Sequence, residues 1–404
     1  MRTAQYTVTP KDVQAHAAHL CHQHLRLKDH GPKTTAAALL ALLCYAAARI
    51  TSLGAACKAL LHAPGYQATH DALLATLPAS NELQRRLNRA LQGDLPHALR
   101  RRRQPIAIDL HLVPYHGSHR HDADEVYRGP AQSGTSHFHA YATAYVIRQG
   151  QRFTVALAYV RQGQPLRDVI RDLLRQAAKA GVRPRYLLLD RGFWGVGVLR
   201  YLLAARYGFL MAVPCKGRKA DHPKGPGGTQ ALCYQKRSGW FAYRWADPKG
   251  RTATVQVCVR VSAAGRAAAR RKPGRRGSKK APGRPYAYWG WQPSSYVAVQ
   301  QTYRKRFAIE TTYRQLQQAR IRTSSRSPLL RLFFVGLALL LRNVWVWVHY
   351  TFLAGRRRGG RAFHWERLRF RLLLDWLRDL AEQRLGVRDA TPAEVPVPIP
   401  LMSE

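Results

Sequence analysis

Along the first hundred residues the apolar positions recur at helical spacing. Residues 34–50 are almost entirely Ala and Leu and predict a helix. Residues 52–61 predict a second, with Thr51 or Ser52 as its cap. Thr69 opens a third that runs through Ala72, Leu73, Leu74 and Leu77 until Pro78 stops it. Ala63-Pro64-Gly65 separates the last two. Two short helices joined this way allow a helix-turn-helix, and a plain helical bundle equally well. This helical region, 1–103, closes on four consecutive arginines, Arg100 to Arg103.

From Pro105 the period changes. Residues 106–110 form a short apolar strand holding one acid, Asp109. Residues 137–147 and 153–160 read as two more strands. Residues 165–180 are an amphipathic helix, with Leu166, Val169, Ile170, Leu173 and Leu174 on one side. A buried strand at 186–190 ends in Asp190, followed by a helix at 193–207 and a strand at 209–213. The order βββαβαβ implies an α/β architecture, a mixed sheet with helices packed on it, for the segment 104–214.

The segment 215–293 departs from that pattern. Strand-like pieces at 240–245 and 252–261 precede a basic loop, 264–285, and together they read as a β insertion. Residues 266–284 hold nine cations and no acid, which suits a segment that tracks DNA. Helix returns at 294–320 and again at 329–354, within a segment 294–350. The C-terminal region, 351–404, carries Arg356-Arg357-Arg358, an amphipathic helix at 365–385 and a Pro-rich tail at 392–400.

The stretch 329–354 is long enough to span a bilayer. Arg331, Arg342 and His349 interrupt it, and a central Arg is costly in hydrocarbon. We therefore expect a buried core helix and no membrane association.

Charge narrows the function. The 404 residues carry 66 Lys+Arg against 22 Asp+Glu, a formal net +44, and 52 of the cations are Arg. Such a field attracts phosphate backbones, and the Arg fork holds phosphate bidentately. An ordinary metabolic enzyme without a polyanionic partner is disfavoured. A hydrophobic fraction of 46% excludes a disordered basic tail. The six cysteines are scattered without a CxxC pair, so neither a zinc ribbon nor a disulfide scaffold is expected. The N-terminus has no apolar signal core. A reduced, cytoplasmic setting follows.

Because acids are scarce, their positions are informative. Asp109 lies inside an apolar strand and Asp190 ends another. Glu310 is the only acid in the 118 residues from 248 to 365, amid Arg304, Lys305, Arg306, Arg314 and Arg320. A buried carboxylate must be paired or bind a metal. Three acids from separate elements suit two Mg²⁺ or Mn²⁺ ions in phosphoryl transfer. Taken singly, each also reads as a strand-end residue, a turn or an i,i+4 ion pair. A histidine cluster, His111, His116, His119, His121, His137 and His139, lacks the helical spacing and nearby acid of a zinc site.

These residues resemble a family. Acids on the first and fourth strands are similar to the ribonuclease H-like fold. Tyr303-x-x-Arg306-x-x-x-Glu310 resembles the Y-x-x-R-x-x-x-E signature of DDE insertion-sequence transposases of the IS four group. Ile106-Ala107-Ile108-Asp109, Asp190-Arg191-Gly192-Phe193 and the run from Arg322 to Pro328 resemble that group as well, over about 105–350. The resemblance implies a catalytic, metal-binding triad of Asp109, Asp190 and Glu310. It implies that Tyr303 and Arg306 contact transposon-end DNA. At the position seven residues after Glu310, where the group has Lys, this chain has Gln317. Arg314 and Arg320, about one turn to either side, are expected to supply that DNA contact. On one helix, Tyr303, Arg306, Glu310, Tyr313 and Arg314 share a face.

The implied activity is cleavage at the inverted-repeat ends of a mobile element and joining of 3′-hydroxyls to target DNA. The active complex would be a homodimer that brings two ends together. A nuclease of the same fold without strand transfer, or a non-catalytic DNA-binding regulator, is consistent with the same residues.

Overall fold

The computed structural model describes residues 7–117, 125–148, 152–218, 222–270, 281–291, 293–357 and 360–390. The N-terminal helices are α1 (Pro10–Leu20), α2 (Ala36–Arg49), α3 (Leu53–Ala59), α4 (Tyr66–Thr76), α5 (Ser80–Gln92) and α6 (His97–Arg101). Local chemistry sets their starts. Thr9 and Asp12 form a capping box on α1, Thr35 accepts from Ala38 N–H on α2, and Ser52 accepts from Ala55 N–H on α3.

Four strands follow: β1 (Gln104–Pro114), β2 (Tyr127–Gln132), β3 (Thr135–Val146) and β4 (Thr154–Val160). Next come α7 (Leu166–Lys179), β5 (Pro184–Leu189), α8 (Val196–Ala204) and β6 (Phe209–Ala212). The insertion contains α9 (Thr229–Cys233), β7 (Gly239–Ala246), β8 (Thr252–Val261), α10 (Ala263–Arg270) and β9 (Gly283–Trp289). The chain continues through α11 (Tyr296–Arg304), α12 (Phe307–Gln318), α13 (Pro328–Val348), the hairpin β10 (Gly355–Arg357) and β11 (Gly360–Ala362), and α14 (Phe370–Leu385).

Nine strands form one sheet in the order β2-β3-β1-β5-β6-β9-β8-β7, with β4 also paired to β3. The β1–β5 and β5–β6 pairs are parallel and the others antiparallel. The segment 215–293 therefore extends the main sheet through β9 rather than standing apart. In the basic stretch 264–285, residues 264–270 are helical and 283–285 belong to β9, whereas 271–280 lie outside the described residues. The expected Pro-rich tail, 392–400, also lies outside them.

The two sheet faces bury different sets. Ile106, Ile108, Leu187 and Leu189 join the large core shared with α2, α5, α7, α13 and α14. Ala107, Tyr145, Leu188 and Leu210 face the other way and pack with Val299, Tyr303 and Ile309 of α11 and α12. This alternation follows from the period of two along a strand.

Helix α13 is a core element: 83% of its most apolar window is buried inside the protein. The polar residues that interrupt it serve that interior. Arg342 donates to Gln315 Oε1 (3.0 Å), Arg152 C=O (2.7 Å) and Tyr145 Oη (3.0 Å). Asn343 bonds Thr154 N–H, Thr154 C=O and Leu91 C=O. At Gly336 the helix meets α5 closely, since a Cβ there would stand 2.4 Å from Leu87 Cδ2.

Strand β4 has a free side, and α5 closes it. Asn88 donates to Leu157 C=O (2.9 Å) and accepts from Leu157 N–H (2.8 Å). Gln84 accepts from Tyr159 N–H (2.7 Å) and Gln92 donates to Val155 C=O (2.8 Å). The three amides are spaced four residues apart, so they form one row along the helix.

One cysteine expectation is corrected. Cys215 and Cys233 form a disulfide, while Cys21, Cys44, Cys57 and Cys258 are free and buried. No CxxC spacing announces the pair, because a long-range fold brings it together. The Thr229 hydroxyl bonds the backbone of Pro214 and Lys216 and holds the two segments side by side.

Candidate active site

The sheet register places the first two acids next to each other. Ile108 is aligned with Leu189 across the parallel β1–β5 pair, so Asp109 and the residue after β5, Asp190, occupy adjacent positions. Asp109 lies two residues beyond Ala107, and Asp190 two beyond Leu188. Both therefore project from the face that α11 and α12 cover.

The predicted single helix over 294–320 is two helices. Between α11 and α12 the backbone switches to i→i−3 bonds: Lys305 N–H to Thr302 C=O, Arg306 N–H to Tyr303 C=O and Ile309 N–H to Arg306 C=O. This tightening bends the chain at Lys305–Arg306. Tyr303 and Glu310 therefore sit on different helices, yet both still face the acids.

Arg306 is the hub of the site, with only 6% of its side chain exposed. Its Nη1 donates to Asp109 Oδ2 at 3.1 Å and its Nη2 to Glu310 Oε1 at 2.8 Å. Nη2 also lies 3.8 Å from Asp190 Oδ1. Tyr303, itself buried, places its hydroxyl 3.5 Å from Asp190 Oδ1, and the Arg306 guanidinium stands 5.6 Å from the Tyr303 ring centroid. Burial works against the Arg306 charge, but Tyr303 and the three carboxylates outweigh it and hold its pKa above the ordinary value.

Asp109 is the most desolvated of the acids. Burial lifts its pKa to about 6; Arg306 pulls it back, and the neighbouring Asp190 and Glu310 push it up further. Tyr313 fixes the backbone there: its hydroxyl donates to Asp109 C=O (3.1 Å) and pairs with Thr143 Oγ1 (2.8 Å). His111 stacks on the Tyr313 ring with centroids 4.7 Å apart. Burial, followed by Arg320, lowers the His111 pKa to about 4, so the ring is neutral at physiological pH. Thr143 escapes a sequence reading, since only the β1–β3 pairing of Asp109 with Thr143 brings it to the site.

The structure thus gathers Asp109, Asp190, Glu310, Tyr303 and Arg306. Arg314 is exposed, and Arg320 donates to Gln317 Oε1 (3.3 Å); among the described residues neither forms an ion pair with these acids. Arg320 instead lines a small cavity of about 40 Å³ with His111, Tyr141 and Arg331. Of the histidine cluster, His139 bonds Tyr159 Oη (3.1 Å), His137 lies beside Ser136 (3.3 Å) and His116 is exposed. His119 and His121 lie outside the described residues.

Among the described residues no group of three or more His, Cys, Asp or Glu stands close enough to hold a metal ion. The three acids meet around a guanidinium rather than around one another. As a donor set they fit a hard divalent cation. All three offer carboxylate oxygens, and each already faces one positive centre.

Residues 100–344 match the family model of the transposase DDE domain. No curated protein matches the chain. Among solved structures the fold is similar to the piggyBac transposase synaptic complex with hairpin DNA, determined by cryo-EM. The TM-score is 0.52 at 10% identity, over 98% of this chain and 88% of that chain. At that identity the likeness is one of fold, the mixed sheet and flanking helices of a ribonuclease H-like protein.

Proposed function

The chain belongs to the transposase DDE domain family, and on that premise we propose that it cuts DNA at the ends of its own mobile element and joins the 3′-hydroxyls to target DNA. The observation that carries this reading is the convergence of Asp109, Asp190 and Glu310, from three separate elements, on Arg306. A purely structural ion pair needs one carboxylate, not three. The run Tyr303-x-x-Arg306-x-x-x-Glu310 supports placing the chain in the IS four group.

Asp109, Asp190 and Glu310 would hold Mg²⁺ or Mn²⁺. When bound, such ions activate a nucleophilic oxygen and stabilise the leaving oxygen. The remaining work falls to the chain. Arg306 is a planar fork with two anionic partners open to it, the carboxylates or a DNA phosphate, and bidentate phosphate binding suits it. Tyr303, packed against that guanidinium, fixes the direction from which a phosphate can approach. Tyr313 and Thr143 hold the backbone of Asp109, so its carboxylate keeps its place beside Asp190. Arg314 and Arg320 would contact the end DNA farther along. Two ends cut and joined together call for a homodimer, acting in the cytoplasm on the nucleoid.

The test pairs cleavage with joining. Purified protein is mixed with labelled duplex carrying the element's terminal repeats and a plasmid target in Mg²⁺. Wild type should yield nicked ends and end–plasmid joints. Glu310→Gln should bind the duplex nearly normally and lose both products. Cleavage without any joint would identify a nuclease. Near wild-type cleavage by Glu310→Gln would reject the triad.

A further inference from the structure

At the other end of the strands that carry the acids lies an open cleft of about 780 Å³. Arg102 and Arg103, just after α6, form one side. Arg148 and Arg152 flank the β3–β4 connection, and Arg185 stands near the start of β5. Arg304 and Lys305, from the bend before α12, complete it. No acid lines this cleft, and among the described residues none of these cations has a carboxylate partner. Arg152 Nε is moreover buried with no hydrogen-bond partner among the described residues. An unmade bond at a buried cation costs free energy that an anion would recover.

The basic surface continues past the cleft. A neighbouring cleft of about 540 Å³ shares Arg103 and Arg185 and adds Arg183 and Arg206. Two adjoining clefts that share Arg103 and Arg185 suit a polyanion better than a single phosphate. The far wall of the larger cleft stands away from the acids: Arg185, near the start of β5, lies five residues before Asp190, about 16 Å at strand rise. At about 3.4 Å of duplex axis per phosphate on one strand, that is at most about five nucleotides. The bend at Lys305–Arg306 links the two places, turning Arg306 to the acids and Arg304 and Lys305 to the cleft.

We propose that this cleft is a second, sequence-independent DNA-binding site, which grips the phosphate backbone a few nucleotides away from the phosphate at the three acids. The inference rests on the DNA-acting reading above and adds a location to it. The DNA held there is either the outer part of the same element end or the target. Both offer the same chemistry.

The experiment is salt-dependent binding by the full chain to a 30-bp duplex, followed by fluorescence anisotropy. Arg148→Gln/Arg152→Gln/Arg185→Gln is compared with the Arg→Lys triple at the same positions and with a control triple, Lys11→Gln/Lys28→Gln/Lys33→Gln. Three lost phosphate contacts should lower the slope of log K against log salt by about 2 to 3. The Lys triple should keep the wild-type slope, which separates lost charge from a damaged fold. A slope unchanged in the Gln triple, or lowered equally in the control, overturns the cleft while wild-type binding upholds the DNA-acting reading. Absence of salt-dependent binding by wild type would overturn both. Cleavage and joining assays on the Gln triple then assign the source. Loss of joining alone supports the cleft as a target site, and loss of both supports it as an end site.

Discussion

Asp109→Asn should make the protein less active and, at neutral pH, relatively more stable than its pH 4 behaviour foretells. The wild-type carboxyl is 14% exposed, and burial lifts its pKa from 3.8 to about 6. An acid whose folded-state pKa lies above the unfolded value binds protons more readily when folded. Stability therefore falls as pH rises from about 4 to 6, and the full penalty persists above that window. At 1.36 kcal/mol per pH unit the lift corresponds to about 3 kcal/mol. Asn carries no such penalty. It keeps one acceptor, enough for Leu110 N–H, which now donates to Asp109 Oδ1 at 3.0 Å. It loses the charged bond from Arg306, an offset of about 1.5–3 kcal/mol that is present while Asp109 is ionised. That bond already contributes to the wild-type pKa, so the change with pH is the cleaner quantity. Urea denaturation with EDTA present, read by tryptophan fluorescence from pH 4 to 8, measures it. The stability of Asn relative to Asp should rise by about 2 to 2.5 kcal/mol across that range, most of it between pH 4 and 6. The other groups around the site, Asp190, Glu310, Arg306 and His111, are present in both proteins and largely cancel. Parallel pH curves for the two proteins would refute the reasoning.

Glu310 is 42% exposed, so Glu310→Gln should change stability by about 1 kcal/mol or less while end cleavage falls by orders of magnitude; urea midpoints and a gel assay read the two together. Gly336→Val should force α13 away from Leu87 and cost about 1–3 kcal/mol, measured by urea denaturation. Asn88→Leu leaves both Leu157 backbone groups unpaired in a buried place and should cost about 2–4 kcal/mol, with faster hydrogen exchange along β4. Reducing the Cys215–Cys233 disulfide opens a link between residues 18 apart and should cost about 3 kcal/mol of stability, seen as a lower urea midpoint with dithiothreitol.

What could be read from the chain alone follows from rarity and period. Asp109, Asp190 and Glu310 stand out because acids are scarce around them, and the short apolar runs at 106–110 and 186–190 mark the strands that bear or precede the first two. The strands β2 and β9 were hidden, since Tyr127–Gln132 contains Gly129-Pro130 and β9 opens Gly283-Arg284-Pro285, both of which read as turns. The bend at Lys305–Arg306 has no Pro or Gly to announce it. The sequence sets Tyr303, Arg306 and Glu310 on one face of a single helix, whereas in the structure two helices meet at this bend and Arg306 bonds both Asp109 and Glu310. Thr143 and the disulfide depend on partners far along the chain, and no local pattern encodes them.

The row of amides on α5 bears on how this protein can be dissected. The match to the catalytic family begins at residue 100, which invites expression of that portion alone. Such a fragment would lack Gln84, Asn88 and Gln92 and would leave the outer side of β4 lined with free N–H and C=O groups. An open strand of that kind recruits other copies, so the shortened product should collect in inclusion bodies even with Asp109, Asp190 and Glu310 intact. The first hundred residues are thus a built-in solubility partner for the sheet, and any minimal version of the enzyme has to keep residues 80–92 or replace them with another cover.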